Sequence, residues 1–231
     1  MLAVLINNGM MKFYWLSCLY LICVCLLWWR HSKEDMVNYK KPSKEQKYNL
    51  KSNMKTRCYN ENYHKTRPDY EECTVCDEWL DDKKLFYEWV DHNFYEIEGE
   101  STVELDKDIL VPGNKVYSPD TCIFVPKRIN DLFVHIHGKK KNGLPTGVTY
   151  SKKTGKYQAT VRESCETEDS ENTKKKKGVQ LGYFDTIEEA YEVYKAHKLA
   201  EIIYIADCYK DVIPDKLYQA MINWKFDEIT A

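Results

Sequence analysis

Hydrophobic and polar positions alternate most cleanly between Gly147 and Tyr194, and two periods follow one another there. In G-V-T-Y-S, Val148 and Tyr150 fall on one side of a strand while Thr149 and Ser151 fall on the other, because strand side chains alternate with period two. Lys152, Lys153, Thr154 and Gly155 supply a turn, with Gly155 free to take a positive φ. A second alternating run puts Tyr157, Ala159 and Val161 on the apolar side and Lys156, Gln158, Thr160 and Arg162 on the polar side. Val179, Leu181 and Tyr183 continue the apolar face in a third run, with Gln180 opposed to them. The period then changes. Thr186 and Glu189 have the spacing of a capping box, and Ile187, Ala190, Tyr191 and Tyr194 share one side of the helix that follows. The pattern predicts a three-stranded sheet whose apolar face is covered by a helix and whose donor-rich face is left to solvent or a partner.

The rest of the chain is less regular. Phe13 to Trp29 holds no charged residue and is flanked by Tyr14, Trp15, Trp28 and Trp29, which resembles a short membrane span with an aromatic belt. Bulky Trp28-Trp29-Arg30-His31 offers no signal-peptidase site. Arg30 to Arg57 carries nine basic and three acidic residues, so a span at residues 13–29 would leave the remainder in the cytoplasm of the host cell, tethered to the membrane. A hydrophobic hairpin, or an upstream extension preceding a start at Met36 or Met54, are the competing readings. Residues 32–55 read as a polar linker. Trp79, Phe86 and Trp89 stand near helical spacing as core aromatics, and Pro214 opens a last short helix with an apolar stripe of Leu217, Tyr218 and Met221.

Charge sharpens this picture locally. The net charge of −2 is uninformative. Lys139 to Gln180, however, carries eleven basic and five acidic residues, whereas Asn60 to Asp108 carries five basic and sixteen acidic. Phosphate contact requires local positive charge, so the first segment suits a nucleic acid and the second resists one. The polar stretch from Glu163 to Gly178, ending in Lys174 to Lys177, reads as a mobile loop. Nine cysteines in a chain of this length do not form a disulfide pattern. Cys73 and Cys76 are one C-x-x-C pair, which Cys58 and Cys122 would have to complete for a zinc site; reduced core thiols are the alternative.

The motif G-V-x-Y … G-K-Y-x-A-x-V-R … L-G-Y-F-D-T-x-E-E-A-x-x-x-Y resembles the Apetala-two/ethylene-response-factor DNA-binding domain. That family lays a three-stranded sheet in the major groove of double-stranded DNA. The resemblance implies Thr149, Ser151, Lys152, Lys156, Gln158, Thr160, Arg162 and Gln180 as DNA-facing residues. The plant members are richer in arginine on these strands and carry a tryptophan where Thr154 stands.

A second resemblance covers the middle of the chain. R-C-Y-N-E-N-Y … C-T-V-C-D-E-W-L, followed by L-D-K-D-I-L-V-P-G-N-K-V-Y-S-P-D-T-C-I-F-V-P-K-R-I-N, is similar to the core of bacteriophage HNH-type homing endonucleases. Such cores grip a divalent metal, Mg²⁺ or Mn²⁺, between two strands and a helix. By position the resemblance implies Asp106, Asp108 and Asn130 as catalytic groups and Asp106, Asp108 and Asn114 as metal ligands. No histidine stands in Leu105-Asp106-Lys107-Asp108, where the general base is expected; His135 and His137 lie further on. Asp106 and Asp108 also read as solvated charges at a strand end, with Asn114 serving a turn.

These expectations amount to an α+β chain. A hydrophobic leader (residues 1–31) and a polar linker (32–55) precede a degenerate HNH-like, ββα-type module (56–138). The Apetala-two-like sheet packed on one helix follows (139–231). Functionally they describe a DNA-binding protein that cleaves with a divalent metal. The alternatives are a non-catalytic regulator and a membrane-anchored phage accessory protein.

Overall fold

A computed structural model describes residues 36–133, 143–163 and 177–226, of which Arg162, Glu163 and Lys177 as backbone alone. The hydrophobic leader, the His135–His137 pair and most of the lysine-rich loop lie outside the described residues. Among the described residues no helix is long and apolar enough to cross a membrane.

The chain is mixed α and β. Helix α1 (Lys44–Tyr59) opens on a capping box in which Ser43 accepts from Gln46 N and the Gln46 side chain accepts from Ser43 N. Residues 44–55 are therefore helical, not linker. The pattern hides this because the buried face of α1 is made of Met54, Cys58 and the stem of Lys51. The Lys51 ammonium donates to the Trp79 carbonyl at 2.7 Å, so a residue that looks solvent-facing lies inside.

A short helix α2 (Glu61–Thr66) and a 3₁₀ turn (Pro68–Tyr70) lead to β1 (Thr74–Val75), then α3 (Asp77–Asp81) and α4 (Lys83–Asn93). Trp79 packs edge-on to Phe86 at 4.9 Å between ring centres and against Trp89 at 5.0 Å, as the aromatic spacing anticipated. Strand β2 (Val103–Asp106) pairs antiparallel with β4 (Ile123–Pro126), Leu105 opposite Phe124 and Asp106 opposite Ile123. Between them β3 (Val116–Tyr117) pairs in parallel with β1. Helix α5 (Lys127–Phe133) follows β4 directly. The stretch from β2 to α5 is thus two antiparallel strands joined by a long connection and succeeded by a helix.

The last unit is a three-stranded antiparallel sheet, β5 (Val148–Ser151), β6 (Lys156–Glu163) and β7 (Lys177–Phe184), with β6 central. Helix α6 (Ile187–Tyr209) begins on the Thr186–Glu189 capping box. Its first turns bury Ala190, Tyr191 and Tyr194 against Val148, Ala159 and Val161. Gly147, at φ +84°, lies so close to the Tyr194 ring that a Cβ there would stand 2.1 Å from Cδ2.

Helix α6 does not stop at the sheet. Its second half contributes Ile202, Ile205, Ala206 and Tyr209 to the core formed by Met54, Trp79, Phe124 and Ile129. Helix α7 (Asp215–Ile222) packs back with Leu217 and Met221, while the Tyr218 hydroxyl donates to Asp207. Trp224 meets Phe133 edge-on at 4.6 Å. The middle core therefore does not close at the boundary expected near residue 138: the second half of α6 and helix α7 complete it, while the sheet keeps its own smaller core.

Candidate nucleic-acid interface and the neighbouring acidic cluster

Backbone pairing sets which side chains share the open face of the sheet. Thr149 pairs with Gln158, which pairs with Tyr183, and Ser151 pairs with Lys156. Thr160 pairs with Gln180, and Arg162 holds the register position opposite Gly178. Directly paired residues share a face, so the register gathers the residues expected there. Thr149, Lys152, Lys156 and Gln180 are exposed, while Ser151, Gln158 and Thr160 are half-buried. The Gln158 amide donates to the Gln180 carbonyl oxygen at 3.0 Å. Lys156 is ion-paired with Asp185 at 2.9 Å, an exposed pair that a phosphate can compete for.

Two tyrosines depart from the expected alternation. The pairing of β6 with β7 shifts between Ala159 and Thr160, so Leu181 is the extra residue of a β-bulge. Beyond the bulge the faces of β7 are exchanged. Phe184 joins the apolar side opposite Tyr157, and Tyr183 moves to the polar side opposite Gln158, where it is 41% exposed. Tyr150 keeps the side of Val148 but lies at its margin, edge-on to Tyr157 at 5.3 Å and 51% exposed. A single inserted residue leaves no mark in the local pattern, which is why Tyr183 reads as core from the sequence.

The second candidate site is the end of β2. One oxygen of Asp106 accepts from Asp108 N at 2.9 Å and Ile109 N at 2.7 Å. Burial and the neighbouring Asp108 charge push the Asp106 pKa up to about 6 despite those two donors. Lys107 is buried and donates to Asp108 at 2.8 Å and to the Asn114 carbonyl at 3.2 Å. Its ammonium lies over the rings of Tyr70 and Tyr117 at 5.6 and 5.8 Å. Burial opposes that charge, yet the hydrogen bond and charge of Asp108 hold the Lys107 pKa above its usual value. Asn114 donates to the carbonyls of Lys107 and Val116 at 2.6 and 2.7 Å, and its own oxygen accepts from Val116 N at 3.2 Å. It ties the connection between β2 and β3 closed.

This arrangement bears on metal binding. Asp106 serves the backbone, Asn114 is spent on the loop, and the cation beside Asp108 is Lys107. A divalent ion held by Asp106 and Asp108 would have to displace that ammonium from a buried site. Among the described residues no group of three or more His, Cys, Asp and Glu is arranged to hold a metal ion. Cys58, Cys73, Cys76 and Cys122 are free thiols, the first, second and fourth of them buried. Burial pushes Cys58 and Cys122 up to about 12 and raises Cys73 and Cys76 as well, as inert core thiols behave.

Asn130, on α5, is placed by a short hydrogen bond from its amide to Glu104. Lys127 stands 4.0 Å from the same carboxylate. Glu104 escapes a motif-based reading, although the alternation V-E-L-D puts it on the same side of β2 as Asp106. Comparison with protein-family models, with curated proteins and with solved structures returns no match to this chain.

Proposed function

We propose that this chain binds duplex DNA through the open face of its three-stranded sheet, and that the middle module serves as a platform holding that sheet. The observation that carries the reading is the one-sidedness of the sheet. One face is closed by α6, and the other presents hydroxyls and amides in register, with Lys156 and the turn residue Lys152 at one end. The major groove admits a β-ribbon, and β-sheet readers place strands there. The strongly acidic middle module fits a supporting role better than phosphate contact.

A second reading is metal-dependent cleavage by the middle module. It is favoured by the order of β2, β4 and α5, with Asp106 at the end of the first strand and Asn130 on the helix beside Glu104. The two readings are separated by incubating the chain with supercoiled plasmid and Mg²⁺ or Mn²⁺, beside Asp106→Ala and Asn130→Ala. Salt-dependent binding with no nicking at any metal concentration is the expected result. Nicking that both substitutions abolish would replace the platform reading with the nuclease one. Absence of salt-dependent binding to any duplex would overturn the DNA reading itself.

A further inference from the structure

The centre of the open sheet face is uncharged. Gln158 and Gln180 are joined amide to amide at 3.0 Å, and Tyr183 is the direct cross-strand neighbour of Gln158. With Gln158 donating in that bond, each of the two amides keeps a carbonyl oxygen with acceptor capacity and at least one free N–H. The mutual hydrogen bond fixes how the two side chains lie relative to each other, so an acceptor and a donor are presented together. The bulge at Leu181 then sets an aromatic ring beside them on the same face. Adenine offers a matching pattern in the major groove, an N6 donor next to an N7 acceptor, and its partner thymine adds a C5 methyl that takes apolar contact. Guanine offers two acceptors there and is served by arginine or lysine. Among the residues of this face whose side chains are described, the cations are Lys152 and Lys156 at the turn end of the sheet, while Arg162 holds the register position opposite Gly178 at the other end.

We propose that the Gln158–Gln180 amide pair and Tyr183 read an adenine–thymine base pair in the major groove, the amides holding adenine and the ring packing on the thymine methyl. This assignment rests on the DNA-binding reading above and names the base pair that the face selects.

The test uses the full chain and fluorescence anisotropy. Duplexes retained from a randomised pool are sequenced, and the preferred duplex is then compared with versions carrying G·C at each enriched position. A preference of roughly ten-fold or more for A·T at one position at least is expected, from the usual worth of a good bidentate amide–adenine contact. Gln158→Ala and Gln180→Ala should each reduce that preference without changing the slope of affinity against salt, because neither removes a phosphate contact. Replacing the thymine by deoxyuridine removes only the methyl and should weaken binding by wild-type protein several-fold, with no such effect in Tyr183→Ala. The deoxyuridine arm needs no protein variant to be interpretable. Equal affinity for A·T and G·C duplexes, or for thymine and deoxyuridine, with salt-dependent binding intact, overturns this assignment and leaves DNA binding standing. Failure to bind any duplex overturns both.

Discussion

Asp106 ends β2 by accepting two backbone N–H groups with one oxygen, and that turn carries the chain to the buried Lys107. Such a residue is a structural acid whose ionisation is unfavourable where it sits. Its folded pKa, about 6, lies above the ordinary carboxylate value of about 3.9. The sign of the pH effect follows: the stabilising contribution is complete below about pH 4 and is lost as pH rises through 6. The wild-type protein should therefore lose on the order of 2 kcal/mol between pH 4 and pH 7 through this group. Asp106→Asn keeps the accepting oxygen and removes the titration, so urea unfolding of the variant should lack this component. An unchanged pH dependence in Asp106→Asn would assign the effect elsewhere. The positions of Asp106, Asp108 and Asn114 are visible as a motif, but whether a carboxylate faces a metal, a lysine or the backbone depends on the loop closing around it. That closure runs through Lys107 and Asn114, and one residue's type does not reveal the other's partner.

Elements with a strong local signal read correctly from the pattern. The Thr186 capping box, the strands around Gly155 and the Pro214 helix all follow from spacing, because each is decided within a few residues. Two elements did not. Helix α1 buries a lysine stem where the pattern wants an aliphatic residue, so residues 44–55 look like linker. The β7 bulge exchanges two faces without changing composition. Each has a direct check. Met54 is 1% exposed in the core, so Met54→Ala should cost about 2–5 kcal/mol in urea unfolding; a value near zero would restore the linker. At the sheet, Gly147→Ala combines a positive φ with a collision against Tyr194. It should cost more than the roughly 1 kcal/mol expected of Thr186→Ala at the helix cap. Reversal of that order in thermal melts would mean that the ring of Tyr194 yields easily and that the sheet–helix contact is soft.

At the scale of the molecule the deciding feature is α6, a 23-residue helix that serves two cores. Its first half holds the sheet through Ala190, Tyr191 and Tyr194, and its second half enters the middle core through Ile202, Ile205 and Ala206. Local periodicity could not show this, because both halves of the helix carry apolar residues and nothing in sequence says that they face different partners. A flexible tether would let the sheet sample DNA independently of the acidic module. A continuous helix fixes one against the other, so on the proposed reading DNA bound to the sheet would have a set orientation relative to β2, β4 and α5, whichever role that module plays. The energetic counterpart is coupled stability, since local opening of either core strips contacts from the same helix. Ile202 is fully buried in the middle core, and Ile202→Ala should cost about 2–5 kcal/mol. The decisive readout is its reach. Amide hydrogen exchange should show protection falling together in β4, inside the middle core, and in β6, which Ile202 does not touch through either core cluster. Gly147→Ala, placed in the turn that leads into β5, should reach β4 by the same route. Two separate transitions, with each substitution confined to its own side, would show that α6 joins the two units without coupling them, and the fixed orientation of DNA over the middle module would go with it.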